Sequence, residues 1–221
     1  MRIVLGVLLC TALGTAIAFR PEWGGTWKFW ATIAGVYLAL AGYALYRMWD
    51  EGILRDVFKL KGGDFAIGAL SALGLLVGAE LLKPYLAPPG TQEYAWLAYV
   101  YLAVGDPLAL QQSFALTLVL LSIAAAEEVV WRALVLDQLM QLLGDRRAWP
   151  ISAALYSISL LPTAFLLAGP AGPNPLLPLA ALGCGLVWGF MVSMLRRLPP
   201  LMVSHMVFSY FTATQFRLPG F

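Results

Sequence analysis

The sequence predicts an all-α fold, a polytopic transmembrane helical bundle of about seven spans. Three observations lead there. Of 221 residues, 61% are hydrophobic and 12% charged, against roughly 25% charged in an ordinary soluble chain. Mean hydropathy is +0.79, and apolar runs long enough to cross a hydrocarbon layer about 30 Å thick recur along the chain, separated by short polar breaks. A water-soluble domain of this length could not hide so much apolar surface. The net charge of +2, with basic residues scattered between apolar runs, argues against a nucleic-acid partner. The expected partner is the lipid bilayer.

The predicted spans cover residues 3–19, 26–49, 65–83, 114–140, 149–168, 176–194 and 199–216. Between them the charges alternate. Arg2, then Arg47, Arg55, Lys59 and Lys61, then Arg146 and Arg147, then Arg196 and Arg197 all fall on one face, which the positive-inside rule names as cytoplasmic. The other loops carry Arg20 and Lys28, then Glu93 and Asp106 in the long 84–113 connection, then an uncharged turn at 169–175. The N-terminus is therefore expected in the cytoplasm and the C-terminus outside. The first span has a second reading: Arg2, an apolar stretch and Ala16-Ile17-Ala18 resemble a signal peptide with a small-residue cleavage site. Its removal would leave the orientation of the other spans unchanged.

Residues 50–64 alternate charges with Ile53, Leu54, Val57, Phe58 and Leu60, the pattern either of a short amphipathic helix at the membrane surface or of a structured loop. The 84–113 connection is too long for a tight turn, and its Tyr94, Trp96, Tyr99 and Tyr101 suit an interfacial or partly re-entrant segment. Cys10 and Cys184 lie in separate apolar spans, without metal-type spacing, and read as packing residues.

Glu127 and Glu128 stand side by side in the middle of the fourth span, with Arg132 one turn further on. Ionisable groups at bilayer depth are expensive and mark functional sites. Glu128 and Arg132 are four residues apart, acid first, and can pair on one helix face. Glu127, turned by about 100° around the helix, has no intrahelical cation. The two acids should therefore differ in role: Glu128 stays ionised and organises the site, while Glu127 can take a proton from water. An interhelical salt-bridge cluster that only fixes packing is the alternative, but it would leave one acid spare.

His205 in the last span is the only histidine, with Ser209 and Thr212 following on the same helical face. Buried in apolar surroundings, these groups need partners, and the Glu127 site is the obvious one. The fifth span adds a third polar stripe, Ser152, Tyr156 and Ser159, able to line a wet cavity or simply to pack.

The run Glu127-Glu128-Val129-Val130-Trp131-Arg132 has the form EExxxR. Together with Gly185-Leu186-Val187-Trp188-Gly189, then Arg196-Arg197, then the 201–209 segment containing His205, it resembles the CPBP family of CAAX-type prenyl proteases and bacteriocin-processing or self-immunity proteins. The resemblance covers residues 114–212. It implies a glutamate-dependent intramembrane endopeptidase of a compact, prokaryotic kind, in an inner or plasma membrane. Glu127 would match the water-activating glutamate, Glu128 and Arg132 its supporting ion pair, and His205 the histidine of the last motif. The family usually has HxxxN or HxxxD there, whereas this chain has Ser209. The middle motif, usually FxxxH, aligns with Tyr156 to Leu160 and places leucine where a histidine is expected. The chain then divides into N-terminal membrane helices with an interfacial segment (1–64) and a CPBP-like core (65–221).

Peptide hydrolysis needs an activated water and stabilisation of the oxyanion. Glu127 can supply the first. His205 and Ser209, supported by Tyr156 and Ser159, can supply the second. No metal and no cofactor are expected, because one histidine and two adjacent carboxylates, one held by Arg132, are not the usual zinc ligand set. The expected substrate is a membrane-associated peptide or protein, such as a C-terminal sorting tail or a lipid-modified terminus. Two other classes fit the same residues: a catalytically inactive CPBP-like binding or immunity protein, and a transporter that relays protons through Glu127, Glu128 and His205.

Overall fold

The computed structural model describes residues 1–215, among which the chain is helical with no strand. A lone antiparallel bridge between Gly169 and Gly172 closes one turn. Phe216, the predicted end of the seventh span, lies outside the described residues.

The N-terminal pair is α1 (Arg2–Ala18) and α2 (Trp27–Asp50), joined through a 3-10 turn at Pro21–Trp23. On α1 the buried positions are Val4, Val7, Thr11, Gly14, Thr15 and Ala18, while Leu5, Leu9, Leu13 and Ile17 are exposed. Lipid tails are as apolar as leucine, so small residues and self-satisfied threonines make the inner face. Thr11 and Thr15 donate to Val7 O and Thr11 O, and a Cβ on Gly14 would meet Val36 of α2 at 2.8 Å.

Next comes α3 (Leu54–Val57), a single turn. The 50–64 segment is thus not an extended amphipathic helix: Ile53, Leu54, Val57 and Phe58 pack against the core, and Leu198 N–H donates to Val57 O at 2.9 Å, which draws the chain onto the bundle. Helix α4 (Asp64–Leu86) buries only Asp64, Gly68 and Ala72 and rests chiefly on the last helix. Its N-terminal residue Asp64 forms a buried ion pair with Arg197. Arg196 pairs with Asp145. Both arginines, read from sequence as topology signals, also bolt elements together.

The 84–113 connection folds into a 3-10 turn at Gln92–Tyr94 and two short helices, α5 (Ala95–Val104) and α6 (Pro107–Gln112). Asp106 accepts from Leu108 N–H at the start of α6, with Pro107 in the first turn. Trp96 Nε1 donates to Gly172 O at 3.2 Å, Asn174 Nδ2 donates to Trp96 O at 2.9 Å, and Gly25 N–H donates to Ala103 O at 3.1 Å. The loops expected on one side therefore meet at one end of the bundle, while Asp64, Asp145, Arg196 and Arg197 meet at the other.

The central helix is α7 (Phe114–Glu128), continued by a π-helical segment (Val129–Val135) and α8 (Leu136–Leu143). Ser113 caps α7 by accepting from Leu116 N–H. The regular helix expected over 114–140 is interrupted because Glu128 to Leu136 are all buried except the half-buried Ala133. A helix enclosed on every side must house Trp131, Arg132 and Leu134 at once, and a widened turn makes that room. The fifth predicted span is broken too, into α9 (Asp145–Ser159) and α10 (Leu161–Leu166), with Pro162 in the first turn of α10. Helix α11 (Leu176–Leu195) lies close on α9: a Cβ on Gly185 would sit 3.1 Å from Ala153 Cβ. Arg196, at φ 56°, ends α11, and α12 (Pro199–Gln215) returns across the bundle, where Gln111 Nε2 donates to Thr214 O at 2.8 Å.

Among the described residues, five helices are long and apolar enough to cross a membrane: Trp27–Asp50, Asp64–Leu86, Phe114–Leu143, Asp145–Leu166 and Leu176–Leu195. Arg2–Ala18 is a shorter apolar helix, and α12 runs from the Arg197 end to the Gln111 end. One hydrophobic cluster links α1, α2, the central helix, α9, α11 and α12.

Helix α4 approaches α12 through Gly68, where an added Cβ would lie 2.6 Å from Pro200 O and 2.7 Å from Val203 Cβ. The carbonyl is fixed, so the helices must separate. Gly68→Leu is expected to destabilise the protein by about 1–3 kcal/mol, read as a lower unfolding midpoint in lipid. Gly74→Leu, where an added Cβ meets nothing within 4 Å, should leave the midpoint unchanged.

Candidate active site

The two carboxylates close α7 immediately before the π turn. Glu128 is fully buried, and its Oε2 lies 3.4 Å from Arg132 Nε. This is an ion pair without the alignment of a hydrogen bond. The guanidinium is held between two aromatic faces, 5.1 Å from the Tyr156 centroid and 5.6 Å from that of Trp188. Cation–π attraction on both sides keeps a buried charge in place.

From α12, His205 reaches both acids. Its Nδ1 is 2.7 Å from Glu128 Oε1, and its Nε2 is 3.3 Å from Glu127 Oε2. A short contact with the ion-paired Glu128 requires the proton on Nδ1. The Nε2 to Oε2 contact has ion-pair distance without the alignment of a hydrogen bond. The ring stacks on Trp188 at 4.0 Å and 24°. Trp188 Nε1 donates to Ser204 Oγ at 3.0 Å, and Ser204 Oγ donates to Ser71 Oγ of α4 at 3.2 Å. The imidazole plane is thus fixed through its neighbours.

Tyr156 of α9 donates to Glu127 Oε2 at 3.3 Å. Ser152 and Ser159, on the same face, are buried but donate to the backbone at Trp131 O and Tyr156 O. The structure does not bring Ser159 to the carboxylates, because its hydroxyl is consumed in its own helix. Ser209 is half-buried one turn beyond His205. Its carbonyl accepts from Thr212, and its hydroxyl makes no hydrogen bond to Glu127, Glu128 or His205 among the described residues. Leu160, aligned with the middle-motif histidine, sits at the break between α9 and α10.

Sequence reasoning missed Tyr37. It is 2% exposed on α2 and lies beside the Glu127 carboxylate and the Trp131 indole, completing an ordinary hydrogen bond with neither. Its only signal was a hydroxyl inside an apolar span, and Tyr43 and Tyr46 of the same helix, which are exposed, carry that signal equally. Trp188 stood inside the Gly185–Gly189 run without a role. No set of three His, Cys, Asp or Glu side chains among the described residues is disposed to hold a metal ion.

Residues 109–211 match the model of the Rce1-like family, described as type II CAAX prenyl endopeptidase Rce1-like, consistent with the CPBP family. This stretch, a little under half of the chain, is similar to that family. The matched stretch runs from within α6 through most of α12 and so carries Glu127, Glu128, Arg132, Tyr156 and His205, whereas Tyr37 lies outside it. No curated protein and no solved structure matches the chain. The chain is a multi-pass membrane protein, and its 109–211 stretch is similar to a protease family.

Proposed function

We propose that the chain is a glutamate-dependent intramembrane endopeptidase. The observation that carries this reading is the bridging of both acids by His205, at 2.7 Å and 3.3 Å. A pair kept only for packing has no need of an imidazole shared with the acid that Arg132 leaves free. In the proposed reaction a water loses a proton to Glu127 as its oxygen bonds to the scissile carbonyl carbon. The oxyanion receives hydrogen bonds from His205 and from Ser209, whose hydroxyl is not engaged with the carboxylates. The C–N bond then breaks, and the proton held at Glu127 passes to the departing amine. Glu128, paired with Arg132, holds the imidazole through Nδ1 and leaves Nε2 facing Glu127 and the reacting atoms.

The substrate is a peptide or protein tail already in the bilayer, because the site is enclosed by apolar helices near the middle of a 30-residue helical unit. The chain is placed in a prokaryotic inner or plasma membrane with its basic end in the cytoplasm, which the gathering of Arg196, Arg197 and their partners at one end supports. One observation favours a catalytically silent binding or immunity protein instead: Leu160 stands at the middle-motif position, and His205 is the only histidine.

Mass spectrometry of membrane-protein termini, in cells carrying wild type or Glu127→Ala, separates the two. An uncleaved precursor accumulating in the variant supports proteolysis; unchanged termini at equal expression overturn it. Ser209→Ala is expected to lower kcat roughly 10²- to 10³-fold with KM unchanged, as loss of one oxyanion donor would. Steady-state cleavage of that precursor in lipid measures it.

A further inference from the structure

We infer that Tyr37 of α2, fed by the Trp131 indole and joined by Tyr156, forms a hydroxyl clamp that positions the Glu127 carboxylate, so that the N-terminal helix pair completes the site. The clamp rests on the reading of Glu127 as the water activator, and it occupies the role left open where the middle motif has Leu160.

Two buried groups point to it. Trp131 is fully buried, yet its Nε1 has no hydrogen-bond partner, and the Tyr37 hydroxyl beside it has none either. An unsatisfied buried polar group costs about 1–3 kcal/mol, so two adjacent ones point to a bond that closes in the working state. The direction is forced by chemistry. An indole N–H only donates, an ionised carboxylate only accepts, and a phenol does both. In that state Trp131 Nε1 donates to the Tyr37 oxygen, and the Tyr37 hydroxyl donates to Glu127. Tyr156 already donates to Oε2 of the same carboxylate at 3.3 Å. Two phenols approaching from α2 and α9, with His205 from α12, confine Glu127 from three helices, which fixes the oxygen that meets water.

Packing holds the clamp in place. Tyr37 lies on the buried stripe of α2 with Ala41 and Ala44, small residues that let α2 lie close to α7. Trp131 and Tyr156 are in ring contact at 5.3 Å and 51°, so the two phenols and the indole form one unit around Glu127. Tyr37 is a positioning residue. It acts through Glu127 and needs no contact with substrate.

The test uses the full chain in lipid and two readouts. The infrared carboxylate band of Glu127, isolated as the difference between wild type and Glu127→Gln, reports hydrogen bonding whether or not the protein turns over substrate. Tyr37→Phe keeps the ring and removes one donor. It is expected to displace that band and to lower kcat roughly 10- to 100-fold, with KM within twofold and the unfolding midpoint little changed. Tyr156→Phe should displace the same band, and the double variant should displace it further. A band and a kcat that Tyr37→Phe leaves as in wild type overturn the clamp. So does a lowered midpoint with an unmoved band, the mark of a merely structural tyrosine. A band that Tyr37→Phe displaces, where the wild type cleaves no peptide, upholds the clamp and sinks the peptidase reading, so the two fail separately.

Discussion

Glu127→Gln is expected to lose roughly 10³-fold or more in peptide cleavage, within the range of a general base's contribution, while keeping its fold. The amide has nearly the carboxylate's volume and still accepts from Tyr156, so the contact at 3.3 Å survives. What disappears is the ability to hold the proton of water. Glu127→Asp should fall in between: it retains the base but draws it back by one methylene from His205 Nε2, now 3.3 Å away. Cleavage assays in lipid, with thermal unfolding as a control, measure both. A glutamine variant as active as wild type would remove Glu127 from the chemistry.

Arg132→Met should have the largest effect on stability, about 3–5 kcal/mol. Arg132 and Glu128 are both buried, their side chains 1% and 0% exposed. Methionine fills the space between Tyr156 and Trp188 but leaves the charge of Glu128 with only His205 to meet it. The expected result is a much lower unfolding midpoint together with lost activity. Glu128→Gln added to Arg132→Met removes the stranded charge, and much of the midpoint should return while activity does not. A single variant that melts within about 1 kcal/mol of wild type would mean that the pair is not holding the core.

The sequence made much of this legible because the chemistry is local. Glu128 and Arg132 had to pair by spacing alone, and a lone histidine in an apolar span had to seek the acids. Membership of the bundle was equally plain from apolar length. What escaped depends on contacts distant in sequence. The burial of Tyr37, unlike Tyr43 and Tyr46, is decided by which face of α2 meets α7, and an apolar helix with tyrosines on several sides does not declare that face. Asp64 and Arg197 are 133 residues apart, so each looked like ordinary loop charge. Ser159 fell on the same stripe as Tyr156, but a hydroxyl can close onto its own helix, and spacing does not distinguish the outcomes. The π turn escaped for a related reason: it answers crowding from four neighbouring helices, and a periodicity drawn from one helix assumes it away.

That π turn sets what kind of sequence change the site can survive. A widened turn is one residue more than an ordinary helix needs to cover the same stretch, so the two halves of the central helix are held out of phase by about 100°. Glu127 and Glu128 belong to one half, Leu136 and Leu139 to the other, and both halves must face inward together. Apolar exchanges within Val129–Val135 change packing locally. Loss of a single residue there would leave a helix just as apolar and just as long to the eye, but turned, so that either the acids leave His205 or the lower half leaves the core. In this stretch length is the inherited quantity, and composition comes second.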